Sequence, residues 1–200
     1  MGILGRMITK AVLEKIEDAV TDSVAEHLQK THSVDAIVNK SVADYRLFIK
    51  RKPMSIKRSF TVYDESNNKK YIIKTDSLTF GYPCIRLYDV TENEIGRVQL
   101  TSKKSVWTYS MYLDGKKLGM LRRKMFLKIN FDLDVNGWHL DGNLIQNSFS
   151  VTDKGGYTVL KISDAFNSTG IYVLELNNHE HEILGLLLVM AVELVLHEKD

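Results

Sequence analysis

The run His179-Glu180-His181-Glu182 is the densest group of metal-binding and acid–base side chains in the sequence. Histidines at i and i+2 share a face only on an extended strand, whereas helical metal ligands sit at i and i+3 or i+4. This run leads into an apolar helical segment, and acids at a helix start answer the helix dipole, so no metal is assigned to it. Cys84, the single cysteine, has no base beside it in Tyr82-Pro83-Cys84-Ile85-Arg86-Leu87. A packed thiol is the expected role, and one cysteine excludes an intramolecular disulfide. His139, beside Trp138, is read as structural. Nucleophilic or acid–base catalysis needs a convergent set of groups, and none can be assembled. Phosphate-binding glycine loops, nucleophile elbows, dinucleotide fingerprints and EF-hand calcium loops are also missing from the sequence. The reading is therefore a non-enzyme with no cofactor and no metal.

The remaining chemistry is electrostatic. Lys50, Arg51, Lys52, Lys57 and Arg58 follow one another, behind Arg46, with no acid between them. Arg122, Arg123 and Lys124, with Lys128 beyond, form a second group. Such groups attract phosphate in lipid or nucleic acid. Strand alternation would divide each group between two faces, and lysines on edge strands also serve to block aggregation. The first group is the leading candidate anion or lipid site and Arg122, Arg123 and Lys124 the second. Nucleic acid is not an expected partner, because the basic runs lack interleaved aromatics and the net charge is only +2. Residues 1–44 carry 5 basic and 7 acidic side chains, so the basic excess lies in the rest of the chain.

Three kinds of element must position these groups. Leu4, Ile8, Val12, Ile16, Val20, Val24 and Leu28 form a helical stripe. An amphipathic helix over about residues 3–30 is expected, followed by a short helix or linker to residue 44. It could dock on the rest of the chain, pair with another copy or lie on a membrane. Its balanced charge favours protein contacts, since membrane-surface helices usually carry a basic polar face. From Tyr45 to Leu176 the period changes to two, with twelve strand-like runs separated by turn residues. Asp64-Glu65-Ser66-Asn67-Asn68, Asp114-Gly115, Asn136-Gly137 and Lys154-Gly155-Gly156 are hairpin chemistry. Four hairpins repeat one plan: a strand, an acidic turn, then a strand that carries a basic residue. The array is antiparallel.

Ile183 to Leu196 is apolar on every side except at Glu193. A helix with no polar face must be surrounded. Glu182 to Leu196 spans roughly 22 Å at about 1.5 Å per residue, short of the about 20 apolar residues that cross a bilayer. No transmembrane span is assigned, and Met1 to Ile16 lacks the apolar core of a signal peptide. Twelve strands closed on themselves leave an interior too wide for side chains alone, and this helix fits it. The expected fold is mainly β: a twelve-stranded antiparallel β-barrel enclosing a hydrophobic C-terminal helix at about residues 181–197. Residues 1–44 are an N-terminal helical extension and residues 45–200 the barrel domain.

Leu47-Phe48-Ile49-Lys50, Phe60-Thr61-Val62-Tyr63-Asp64-Glu65, Tyr71-Ile72-Ile73-Lys74, Tyr109-Ser110-Met111-Tyr112-Leu113-Asp114-Gly115, Trp138-His139-Leu140-Asp141-Gly142 and Leu187-Leu188-Val189-Met190-Ala191-Val192-Glu193-Leu194-Val195 stand in this order. Together they resemble the LURP-one-related proteins, of the tubby C-terminal-like group that includes the phospholipid scramblases. The resemblance covers about Tyr45 to Leu196 and implies a twelve-stranded barrel around a C-terminal helix. Tubby relatives bind phosphoinositides, scramblases are tied to lipid movement, and many bacterial members have no assigned role. This chain departs at Asp164-Ala165-Phe166, where the family often has a lysine-tryptophan pair, and at Glu193, where aspartate is common. No lipid-contacting residue carries over by motif. The resulting expectation is a non-enzymatic binding or scaffold module, cytoplasmic and peripheral to the membrane, contacting anionic phospholipid headgroups. The alternative is a protein-interaction module that uses residues 1–44 for self-association or docking, with no lipid role.

Overall fold

A computed structural model describes residues 45–52, 59–76, 83–104, 106–125, 129–143, 148–164 and 171–197. The helix expected within residues 1–44 lies outside them. Twelve strands follow one another: β1 (Tyr45–Arg51), β2 (Ser59–Tyr63), β3 (Lys69–Thr75), β4 (Cys84–Tyr88), β5 (Glu94–Lys103), β6 (Val106–Leu113), β7 (Lys116–Met125), β8 (Ile129–Asp134), β9 (His139–Asn143), β10 (Ser148–Thr152), β11 (Thr158–Asp164) and β12 (Ile171–Leu176). A 3-10 turn at His179–His181 leads into helix α1 (Glu182–His197).

The sheet order is β8-β7-β6-β5-β4-β3-β2-β1-β12-β11-β10-β9. Every neighbouring pair in it is antiparallel, and β1 pairs with both β2 and β12, which bends the meander back on itself. The expected ring closes at every joint but one. No ladder joins β8 to β9, so the barrel is nearly closed, with a seam between these two strands. Gly119 explains why the chain can turn there. A Cβ at this position would overlap the carbonyl of Asp134 and come 2.7 Å from Val135 Cβ, so only glycine lets the end of β8 cross β7 so closely.

Alternation decides which residues fill the barrel. Leu47, Val62, Leu87, Val98, Leu100, Tyr109, Met111, Leu121, Val151, Leu174 and Leu176 are fully buried, and so are Leu186, Leu187 and Leu188 of α1. All belong to one apolar cluster. Each buried leucine contributes about 1.5–3 kcal/mol, so the helix and the inner strand faces hold the fold together. The helix runs along the lumen from the mouth where β12 ends.

The two mouths differ. The tight turns lie at one of them, and there Asn67, Glu92, Asp114 and Asn136 take positive φ of 60°, 66°, 47° and 50°. Asp89 Oδ1 accepts from the backbone N–H groups of Thr91 and Asn93 at 2.9 Å each. Asp153 Oδ1 does the same for Gly155 and Tyr157. The acids of the repeated hairpin plan thus fold their own turns. Basic residues of the same plan answer acids of the turns and the wall: Lys74 meets Glu92, Arg97 meets Glu94 and Arg122 meets Asp134.

Candidate functional site

At the turn mouth, helix α1 is latched to the barrel through Glu182, which is buried. Lys70 Nζ of β3 lies 2.8 Å from Glu182 Oε1 and donates to Oε2 at 3.1 Å and to the Tyr45 hydroxyl at 2.9 Å. Burial works to lower the pKa of Lys70, but its hydrogen bonds to Glu182 and Tyr45 win and hold it above the ordinary value. An amine kept protonated in this way is no nucleophile. Burial, followed by the adjacent Glu182 carboxylate, pushes the Tyr71 hydroxyl well above its ordinary pKa.

The two histidines of the candidate metal run part company here. The His179 ring lies 4.0 Å from that of Tyr45, while His181 meets Trp138 edge-on at 5.2 Å. Asn178 accepts from the Glu180 N–H at 3.0 Å and caps the short turn. Among the described residues no three or more His, Cys, Asp and Glu side chains are grouped to hold a metal. Cys84 is buried, and burial pushes its thiol up to about 11. His139 is an exposed residue of β9, opposite Thr152.

Only part of the candidate anion-binding set is brought to the opposite mouth. Lys50, Arg51 and Lys52 end β1, while Arg123 lies near the end of β7 and is buried. In the order of twelve strands, β1 and β7 are six apart by either route, so the two groups face each other across one rim. Arg51 and Lys52 are exposed. Lys50 lies with its ammonium 4.7 Å from the Tyr63 ring, and burial lowers its pKa. Arg122 takes the other face of β7, donating to Asp132 at 3.2 Å and Asp134 at 3.0 Å, so its charge is already answered. Lys57 and Arg58 lie outside the described residues. Lys124 has its place in β7, opposite Val106 and Asn130, but its side chain is not among those described.

Cross-strand register adds residues that no single run of sequence contains. Lys103, Trp107 and Arg123 stand in one row across β5, β6 and β7. Lys103 Nζ and the Arg123 guanidinium each lie 5.2 Å from the Trp107 ring. Such cation–π pairs contribute about 0.5–1 kcal/mol at exposed sites. Lys104, next to this row, is exposed.

Glu193, buried in the second half of α1, sits near the same mouth beside a cavity lined by Ile49, Phe60, Ile73, Tyr172 and Met190. Its free volume is about 10 Å³, room for about one water. Chemistry on an organic substrate has no space there.

A twelve-stranded antiparallel barrel filled by its own C-terminal helix is the frame on which comparison with known proteins rests. The sequence model of the family described as LURP-one-related matches residues 45–193. The chain belongs to the LURP-one-related family. Among solved structures, an X-ray structure of an Arabidopsis thaliana protein superposes with a TM-score of 0.52 at 14% sequence identity. It covers 76% of this chain and 93% of that one, and at such identity the match speaks for the fold alone. No curated protein matches the sequence. Among the described residues of this LURP-one-related chain, no helix is long and apolar enough to cross a membrane.

Proposed function

We propose that this protein is a non-enzymatic binding module whose basic mouth docks on anionic phospholipid headgroups. One observation carries the reading: basic groups far apart in sequence, Lys50-Arg51-Lys52 at the end of β1 and Lys103-Lys104 at the end of β5, lie at one rim of the barrel. The lumen is filled by α1, so a partner meets the outside of the barrel or its mouths and not an interior pocket. A lysine or arginine near an anionic membrane surface contributes about 1 kcal/mol, and the attraction fades within a Debye length, about 8–10 Å at physiological salt.

Sedimentation with vesicles of acidic phospholipid tests the proposal. Binding is expected at low salt and should weaken steadily as salt is raised. Replacing the exposed Arg51, Lys52, Lys103 and Lys104 by alanine should weaken it by about 4 kcal/mol, on the order of a thousandfold. Absence of binding at low salt, or indifference to these four substitutions, removes the reading.

A further inference from the structure

We infer that the barrel stands mouth-first on the bilayer, its axis along the membrane normal, with Trp107 seated at headgroup level between Lys103 and Arg123. The inference rests on the anionic-membrane reading above and adds an orientation and an anchoring residue. Three observations lead to it.

Four arginines of the outer wall are already neutralised. Arg86 pairs with Asp76 at 3.0 Å and Glu94 at 2.6 Å, Arg97 with Glu94 at 3.3 Å, Arg46 with Glu175 at 3.0 Å, and Arg122 with Asp132 and Asp134. A barrel lying on its side would therefore offer these ion pairs to the membrane. At the turn mouth Asp64, Glu65, Asp89, Glu92, Glu94, Asp114 and Asp153 outnumber Lys69, Lys116, Lys117 and Lys154, and an anionic surface repels that excess of acid. The exposed large apolar residues Val90, Leu118 and Tyr157 lie at that same acidic end. The basic mouth is the one end whose charge suits such a surface.

Its aromatic also has the right chemistry. Tryptophan favours the membrane–water interface, where its ring is apolar and its N–H is wet. The exposed Lys103 beside it can lay its aliphatic stem along apolar surface and keep its charge at the phosphate plane, while the buried Arg123 backs the ring from β7. Trp107 is half-buried with a cation on either side at 5.2 Å. The other tryptophan, Trp138, is buried at the turn mouth against His181. The two indoles thus mark opposite ends of the barrel.

That placement makes intrinsic fluorescence a direct test. In the full chain, W138F leaves Trp107 as the only indole, and W107F leaves Trp138. Both are mixed with vesicles of equimolar phosphatidylcholine and phosphatidylserine, with and without bromine on the acyl chains. Mouth-first docking predicts a blue shift of W138F emission and its quenching by the brominated lipid. W107F emission should stay unchanged while its sedimentation weakens severalfold. If W138F does not fold, the wild-type signal less that of W107F isolates Trp107. Unmoved Trp107 emission in a chain that still sediments with the vesicles, or quenching of Trp138 in its place, overturns the orientation and leaves the anionic reading intact. A chain that does not sediment at low salt overturns both. A shift of Trp107 emission with inorganic phosphate alone, abolished vesicle binding accompanying it, would make a free anion the ligand and also overturn the docking.

Discussion

Leu187 of α1 and Gly96 of β5 provide the sharpest test of how the helix is held. Leu187 is fully buried, and a Cβ added at Gly96 would lie 3.1 Å from Leu187 Cδ2 and 3.0 Å from the Tyr112 carbonyl oxygen. Leu187→Ala empties space against β5 and should cost about 3–4 kcal/mol, within the range for buried leucines. Gly96→Ala forces a methyl into that same space from the strand side, and overpacking of this kind costs about 1–3 kcal/mol. In the double variant the new methyl enters the room that the leucine vacated. The contact with the Tyr112 carbonyl remains, so the rescue is partial. The double variant should be more stable than the sum of the single effects by about 1 kcal/mol or more, where independent sites add to within about 0.5 kcal/mol. Guanidinium denaturation followed by far-UV circular dichroism, with the slope of the transition held constant across the four proteins, gives the cycle. Additive effects, or a cost under about 1 kcal/mol for Leu187→Ala, would refute the packing of helix on strand.

Two further outcomes follow from the buried groups. The folded chain holds the protons of Cys84, Tyr45, Tyr71, Tyr88 and Lys70 more tightly than the unfolded chain does, since all five have raised pKa values. The unfolded state then binds fewer protons in alkali, so stability falls as pH rises, beginning near about pH 9 and steepening through about pH 11. Urea midpoints measured across that window should drop, and Tyr71→Phe should drop less steeply; a flat profile for the parent contradicts the assignment. Deleting Ile183 to Leu196 should abolish soluble folding, and a cooperative unfolding transition in the truncated chain would show that the barrel does not need its helix.

The strands were legible because alternation and turn chemistry agree at each hairpin. Asp114-Gly115 and Asn136-Gly137, for example, take the positive φ angles that their residue types favour. The central helix was legible because a segment apolar all round has to be enclosed. The row Lys103, Trp107 and Arg123 was not. Simple alternation from Leu100 would align Ser102 and Lys104 with the lumen, but a register shift between Leu100 and Ser102 sets Lys103 opposite Trp107. A bulge of this kind depends on three-dimensional fit and leaves no reliable trace in the order of residues. Arg122 and Arg123 looked alike in sequence. Only the β7–β8 register shows that Arg122 meets Asp132, while Arg123 is set opposite Phe131 and Trp107. The seam between β8 and β9 was equally hidden, because the four-residue connection Val135 to Trp138 resembles the other turns of the meander.

A basic mouth also has a purely structural explanation, and magnitudes decide how much it covers. Helix α1 runs from the acidic turn mouth, where Glu180 and Glu182 stand at its start, to the basic mouth, so the polarity of the barrel complements the helix dipole. That interaction amounts to about half a charge, contributes about 0.3–1 kcal/mol per favourable group and fades within the last turn. One or two cations close to the axis would satisfy it. Arg51, Lys52, Lys103 and Lys104 are exposed, at the rim ends of β1 and β5, which lie four strands apart. Their mutual repulsion works against the fold, and nothing in the helix dipole requires so many. Charge in excess of what the helix needs, at the end that offers few acids among the described residues, is what an external anionic surface would use. If the dipole were the whole reason, alanine at all four positions would lower stability and leave vesicle binding untouched. If the surface is the reason, stability should hold or rise slightly as the repulsion is relieved, and binding should fall.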